Sequence, residues 1–248
     1  MRKITEYKEI LSSFSDWTPY LLAESGLPGP RGNIELAQAV ALLGTEAYFN
    51  DLLKNTPEIA PVNTPGEFLN FCGTMGLGEL LKQGKKEYLE TLYTLASDTR
   101  WRTREAVAMA LQNYGEEHFD DLIYEMRKWA EGNNYEKRAA AAALCEPKLL
   151  TTENQASAVL DLLNRITESM CESQDRKEGS YIALKKGMAY CWSVAAAGNP
   201  AEGKQWIEKW AEHPDKDIHW IIKENLKKKR MERMDRIWTE QMKKKLGV

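Results

Sequence analysis

Apolar residues return along this chain every three to four positions and almost never in strict alternation, so the pattern predicts helices and no strands. Residues 3–14 set Ile4, Tyr7, Ile10, Leu11 and Phe14 on one stripe. The loop from Gly26 to Asn33, with Pro28 and Pro30 inside it, interrupts the pattern, and Asn33 stands where it can cap a helix over 34–54. Pro57 and Pro61 punctuate the next stretch. Thr64-Pro65-Gly66-Glu67 reads as a helix start, with Thr64 at the N-cap, Pro65 at the first helical position and Glu67 reaching back, and it opens a helix over 65–82. The glycines of Cys72-Gly73-Thr74-Met75-Gly76-Leu77-Gly78 read as sites of close helix packing. Beyond this point the helical segments come in pairs: 85–96 with 101–114, 117–131 with 135–145, 152–172 with 178–197, and 201–212 with 217–230. A last segment from 231 places Met234, Ile237, Trp238 and Met242 on one stripe.

Within the pairs a phrase recurs. Asp98-Thr99-Arg100-Trp101-Arg102-Thr103-Arg104-Glu105 is answered by Asp217-Ile218-His219-Trp220-Ile221-Ile222-Lys223-Glu224, with acid, Trp, base and Glu in register. Tyr135 and Arg138 form a weaker copy that keeps the three-residue separation of aromatic and base. Leu95-Ala96-Ser97, Trp129-Ala130-Glu131 and Trp210-Ala211-Glu212 mark equivalent ends of first helices. Repetition of helical pairs signals stacked hairpins, because no single hairpin can bury its own apolar face. The expected fold is all-α, a right-handed α-α superhelix forming a single domain over 1–248. Irregular helices occupy 1–84, hairpins 85–230, and a polar capping helix 231–248.

The segments Asp98 to Leu111 and His213 to Leu226, where a turn acid precedes a base inside the second helix, resemble the HEAT-repeat proteins over roughly residues 85–230. Within that class the chain is also similar to the bacterial DNA-alkylation-repair glycosylases of HEAT-like architecture, which are of similar length and place Trp and Arg of repeat helices around alkylated DNA. Their tandem-Trp-plus-Asp signature has no counterpart here, since no Trp-Trp pair occurs in the chain. The resemblance therefore implies a non-catalytic scaffold that binds a macromolecule along its second helices. As the alternative it implies a DNA-binding protein in which Trp101, Tyr135 or Trp220 holds a cationic alkylated base and Asp98 stabilises the sugar cation.

Composition and charge narrow the partner. Cys72, Cys145, Cys171 and Cys191 form no Cys-x-x-Cys pair and read as reduced, mostly buried thiols. No signal core and no apolar run of about 20 residues is present, so the expectation is a cytoplasmic protein without a membrane segment. The net charge of −3 argues against a general nucleic-acid binder, yet residues 223–245 hold ten Lys and Arg against four Asp and Glu. Bases cluster beside the repeat aromatics at Arg100, Arg102 and Arg104, at Lys137 and Arg138, at Lys185 and Lys186, and at Lys223 with Lys227 to Arg230. If second helices line one surface, Trp101, Arg102, Arg104, Tyr135, Arg138, Lys186, Trp220 and Lys223 form a stripe suited to a protein or to the phosphate backbone of a nucleic acid. The structural alternative has Asp98 with Arg104 and Asp217 with Lys223 bridging turns of adjacent repeats, and the aromatics in the core. No cofactor or metal is expected. His213 to His219 lacks a zinc spacing, the Gly-rich segment lacks the Gly-Lys-Ser/Thr end of a phosphate loop, and His118, His213 and His219 suggest no hydrolase triad.

Overall fold

The computed structural model describes residues 2–248. Helices make up 73% of the chain and no strand occurs among the described residues, which makes the protein all-α. The chain divides into two compact units, Met1–His118 and Phe119–Val248.

Unit 1 holds α1 (Arg2–Ser12), α2 (Thr18–Ala23), α3 (Ile34–Leu43), α4 (Glu46–Leu53), α5 (Pro65–Lys82), α6 (Tyr88–Leu95) and α7 (Trp101–Gly115). Its centre is α5, packed against α3, α4 and α7 and buried along most of its length. The glycines permit this. A Cβ on Gly78 would stand 2.6 Å from the Ala110 carbonyl oxygen, so α5 and α7 touch backbone to backbone, and the Phe49 ring fills the space that a Cβ on Gly76 would need.

Two local expectations are corrected. The helix expected over 34–54 is broken, because Gly44 is extended with the Phe49 ring against it and the Thr45 hydroxyl accepts from Tyr48 N (3.3 Å), starting α4 afresh. Thr64 does not cap α5. Its hydroxyl donates to Pro61 O (2.7 Å), while Glu67 reaches one residue further back and accepts from Asn63 N (2.6 Å). The α2 helix, begun by Thr18 N donating to Asp16 Oδ1 (2.9 Å), was not expected at all.

Unit 2 holds α8 (Phe119–Trp129), α9 (Asn134–Leu144), a 3-10 turn over Pro147–Leu149, α10 (Glu153–Cys171), α11 (Gly179–Gly198), α12 (Pro200–Glu212), α13 (Lys216–Leu226), α14 (Lys229–Met234) and α15 (Arg236–Leu246). Helices α8, α10 and α12 pair with α9, α11 and α13 in three hairpins. The second helices lie side by side, α11 between α9 and α13, and α10 touches both α8 and α12. Capping boxes fix two of the helix starts, Asn133 with Glu136 for α9 and Thr152 with Gln155 for α10, each worth roughly 1 kcal/mol. Asn225, fully buried, ties α13 to α11 by donating to Met188 O (2.9 Å) and accepting from Ser193 N (2.8 Å). The helix expected over 217–230 ends at Leu226, and α14 begins three residues later against α11.

No helix among the described residues is long and apolar enough to cross a membrane. Cys72, Cys145 and Cys191 are buried free thiols and Cys171 is half-buried. Burial pushes the Cys72 and Cys145 thiols well above their ordinary value, which suppresses the thiolate and leaves these two unreactive.

Candidate functional site

In unit 1 the phrase Asp98 to Glu105 lies at the start of α7. Three of its arginines point inward and hold loops. Arg100, 1% exposed, donates to both oxygens of Asp98 (3.0 and 2.8 Å) and to the carbonyls of Asn55 (2.8 Å) and Ala60 (3.2 Å). Arg102, 4% exposed, pairs with the fully buried Glu67 (3.1 Å) and donates to Gly29 O and to Asn63 Oδ1 (3.3 Å). Arg104, also buried, donates to the carbonyls of Asp98 and Thr99. Asp98 thus meets the side chain of Arg100, while Arg104 serves the turn backbone. Both arginines placed in the candidate stripe from this unit, Arg102 and Arg104, hold loops inside it.

Trp101 differs from its neighbours. Its ring is 40% exposed and carries the Arg102 guanidinium 4.3 Å from its centroid. With Leu27, Ile34, Phe68, Phe71 and Glu105 it lines a cleft of about 310 Å³. Asp98 does not line this cleft.

In unit 2 the remaining candidates fall on the three adjacent second helices. On α9, Tyr135 and Arg138 are half-buried. The Tyr135 hydroxyl lies over Gly179, and the Arg138 stem lies over Gly187, where a Cβ would come within 3.3 Å of Arg138 Cγ. Arg138 Nη1 is buried with no hydrogen-bond partner. On α11, Ile182, Lys186 and Tyr190 are exposed at four-residue spacing, which puts them on one face of the helix. On α13, Lys216, Trp220 and Lys227 are exposed and Lys223 is half-buried, again at helical spacing. Lys186 and Lys223 meet no carboxylate among the described residues, whereas Lys227 pairs with Glu224 (2.6 Å).

Beneath that face lies a charged junction between α11 and α13. Asp217 accepts from Lys185 and from the Tyr181 hydroxyl (3.0 Å), and Arg176 reaches Asp215 (2.6 Å) and Asp217 (3.5 Å). The Lys185 ammonium rests 4.9 Å from the centroid of the Trp220 ring and so fixes its tilt. Burial pushes the Asp217 carboxyl up, but the hydrogen bonds from Lys185 and Tyr181 outweigh it and hold the group below the ordinary value of 3.8. Asp215 is lowered in the same way: burial raises it, and the bond from Arg176 with two backbone N–H groups prevails. Burial, followed by the Asp217 carboxylate, drives the Tyr181 hydroxyl well above its ordinary value. Asp217 therefore pairs with Lys185 of the preceding hairpin rather than with Lys223, and Lys223 is left outward.

Sequence reasoning missed Tyr190, Lys216, Tyr181 and Arg176. Tyr190 and Lys216 were legible in principle, since each stands four residues from a named candidate, Lys186 and Trp220. Arg176 and Tyr181 join Asp217 only through tertiary packing. His213 is a turn residue whose Nδ1 accepts from Asp215 N (3.3 Å) and whose ring lies against Trp210. No protein-family model matches the chain, and neither a curated protein nor a solved structure matches it significantly.

Proposed function

We propose that the chain is a non-catalytic HEAT-like scaffold, its hairpins following a right-handed α-α superhelix, and that it binds nucleic acid along α9, α11 and α13. One observation carries this reading. Three side-by-side helices each carry an aromatic and a base that meets no carboxylate among the described residues: Tyr135 with the half-buried Arg138, Tyr190 with the exposed Lys186, and the exposed Trp220 with Lys223. Packed helices stand about 8–10 Å apart, so the three bases are spaced to meet separate phosphates, while the aromatic faces offer stacking surfaces for bases.

The test is affinity for a labelled DNA, single-stranded and duplex, at about 50 and about 200 mM salt. Three phosphate contacts predict a loss of roughly 40-fold for the duplex and roughly 20-fold for the single strand between the two conditions. Absence of binding at the lower salt would overturn the nucleic-acid partner and leave a protein partner for the same face.

A second reading, a DNA glycosylase acting on cationic alkylated bases, is favoured by the cleft in unit 1, where the exposed Trp101 ring faces a space shared with the Glu105 carboxylate. Asp98 is unsuited to stabilising a sugar cation, because both of its oxygens are held by Arg100. The expected result is no release of methylated purines from alkylated DNA above the spontaneous rate. Release that is lost in Trp101→Ala or Glu105→Gln, with folding intact, would establish this second reading.

A further inference from the structure

Beyond Tyr190 on α11, the buried Val194, the exposed Ala197 and Gly198 form the floor of a cleft of about 380 Å³, bounded by Leu150 on one side and by Arg230 and Arg233 of α14 on the other. That volume lies within the range of small-ligand sites, about 300–1,000 Å³. Arg230 is held at the mouth by Tyr190: its Nη2 donates to the Tyr190 hydroxyl (2.6 Å), and its guanidinium lies 4.6 Å from the ring centroid. Arg233, one helical turn later, is exposed. Neither guanidinium is paired with a carboxylate among the described residues, because the nearby acids are committed elsewhere, Glu232 to Lys243 (2.7 Å) and Asp235 to Lys204. No carboxylate lines the cleft.

Two guanidinium forks without acids, set over an apolar floor, define a ligand. Each fork matches an oxyanion in two-point geometry. A single carboxylate would satisfy one fork, whereas a phosphomonoester carries close to two negative charges and three acceptor oxygens near neutral pH. The floor of Leu150, Val194 and Ala197 asks for an apolar or ring-bearing body beside the anion.

We propose that this cleft binds a phosphomonoester attached to a ring-bearing body, as on a free mononucleotide or at the phosphorylated end of a nucleic-acid strand, with Arg230 and Arg233 as its clamp. The strand source rests on the nucleic-acid reading of the α9–α11–α13 face, and the mononucleotide source does not. Ala197 lies eleven positions beyond Lys186 along the helix, about 16 Å along the axis, so a strand end seated in the cleft would run back over the basic face.

The experiment uses the full chain and two pairs of probes, read by calorimetry and by fluorescence anisotropy. The first pair is adenosine monophosphate against adenosine. The second is a short single-stranded DNA with a terminal phosphate, at the 5′ or the 3′ end, against the same strand with hydroxyl ends. The nucleotide should bind and the nucleoside should not, and the phosphorylated strand should bind about tenfold tighter than its counterpart. Arg230→Gln and Arg233→Gln should each abolish both preferences while leaving the hydroxyl-ended strand within roughly threefold of the parent. Ala197→Glu, on an exposed helical position at the floor, should do the same by charge and bulk without disturbing the fold. Equal binding of nucleotide and nucleoside, or preferences that survive all three substitutions, would overturn the cleft assignment even if both strands bind and the face stands. Nucleotide binding lost in the variants, with neither strand bound, would uphold the cleft with a free mononucleotide as its ligand and remove the strand-binding face.

Discussion

The two units put the same phrase to different uses. Unit 1 carries 11 Lys and Arg against 16 Asp and Glu, a net of −5, and unit 2 carries 23 against 21, a net of +2. All the Lys and Arg buried among the described residues, Arg100, Arg102 and Arg104, belong to unit 1. The helical phase of the phrase is nevertheless conserved between the copies: Trp101 and Trp220 are exposed, and the two residues after each are buried. What changes is where the helix begins. In unit 1 α7 starts at Trp101, so the carbonyls of Asp98 and Thr99 lie outside the helix, and Arg104 turns back to satisfy them. In unit 2 Asp215 caps the helix and α13 starts at Lys216, so the matching carbonyls of Asp217 and Ile218 lie inside it and need no side-chain donor. Lys223, the counterpart of Arg104, is therefore free to face outward. A repeated motif fixes which way its residues point, and the position of the cap decides whether its base is used up in holding a turn.

The strongest way to break this comparison is to remove the acid that pairs with the most deeply buried of the unit 1 arginines, Arg100. Asp98→Asn leaves the buried Arg100 charge without its carboxylate. Removing one partner of a buried pair costs about 3–5 kcal/mol, so Tm should fall by at least roughly 6 °C. A change of less than about 1 °C in a thermal melt would mean that the Arg100 network contributes nothing to folding.

Some of this was open to sequence reading and some was not. The helical period placed most of the segments from Pro65 onward within a few residues, since packed amphipathic helices repeat their apolar positions, and it gave the all-α class. The break at Gly44 was hidden, because a glycine in an apolar run also suits an unbroken helix. What breaks it is the Phe49 ring together with the Thr45 cap. The bases and aromatics of α9 and α13 were legible as candidates because charge beside a large aromatic stands out in a linear string. Whether Arg102 pointed at solvent or at Glu67 was not, because 35 residues separate that pair and only the packing of α5 on α7 brings it together.

A middle-sized effect sharpens the outward half of the comparison. Lys186→Gln and Lys223→Gln should each lower the slope of log affinity for DNA against log salt by about one unit, and together weaken binding at low salt by tenfold or more. Lys3→Gln, an exposed base of unit 1, should change neither quantity. An equal effect from Lys3 would show that binding follows total charge and not the α9–α11–α13 face.

The smallest effect concerns the junction that sets Trp220 in place. Asp217 and Asp215 both titrate below the ordinary aspartate value of 3.8 in the folded chain, because Arg176, Lys185, Tyr181 and helix N–H groups favour their ionised forms. A carboxyl whose folded value is depressed binds fewer protons folded than unfolded. Its contribution is therefore complete above the unfolded value and drains away as pH falls through the folded one. The junction is partly open to solvent, so Asp217→Asn should cost about 1 kcal/mol or less at pH 7. Urea unfolding of parent and variant should show that difference undiminished at about pH 6 and shrinking towards zero below pH 3.8, where the parent's carboxyl also takes up its proton. A difference that stays constant across this range would mean that the Asp217 charge is not what binds α13 to α11. Trp220 would then owe its outward pose to the helical phase of the phrase alone, as Trp101 does in unit 1.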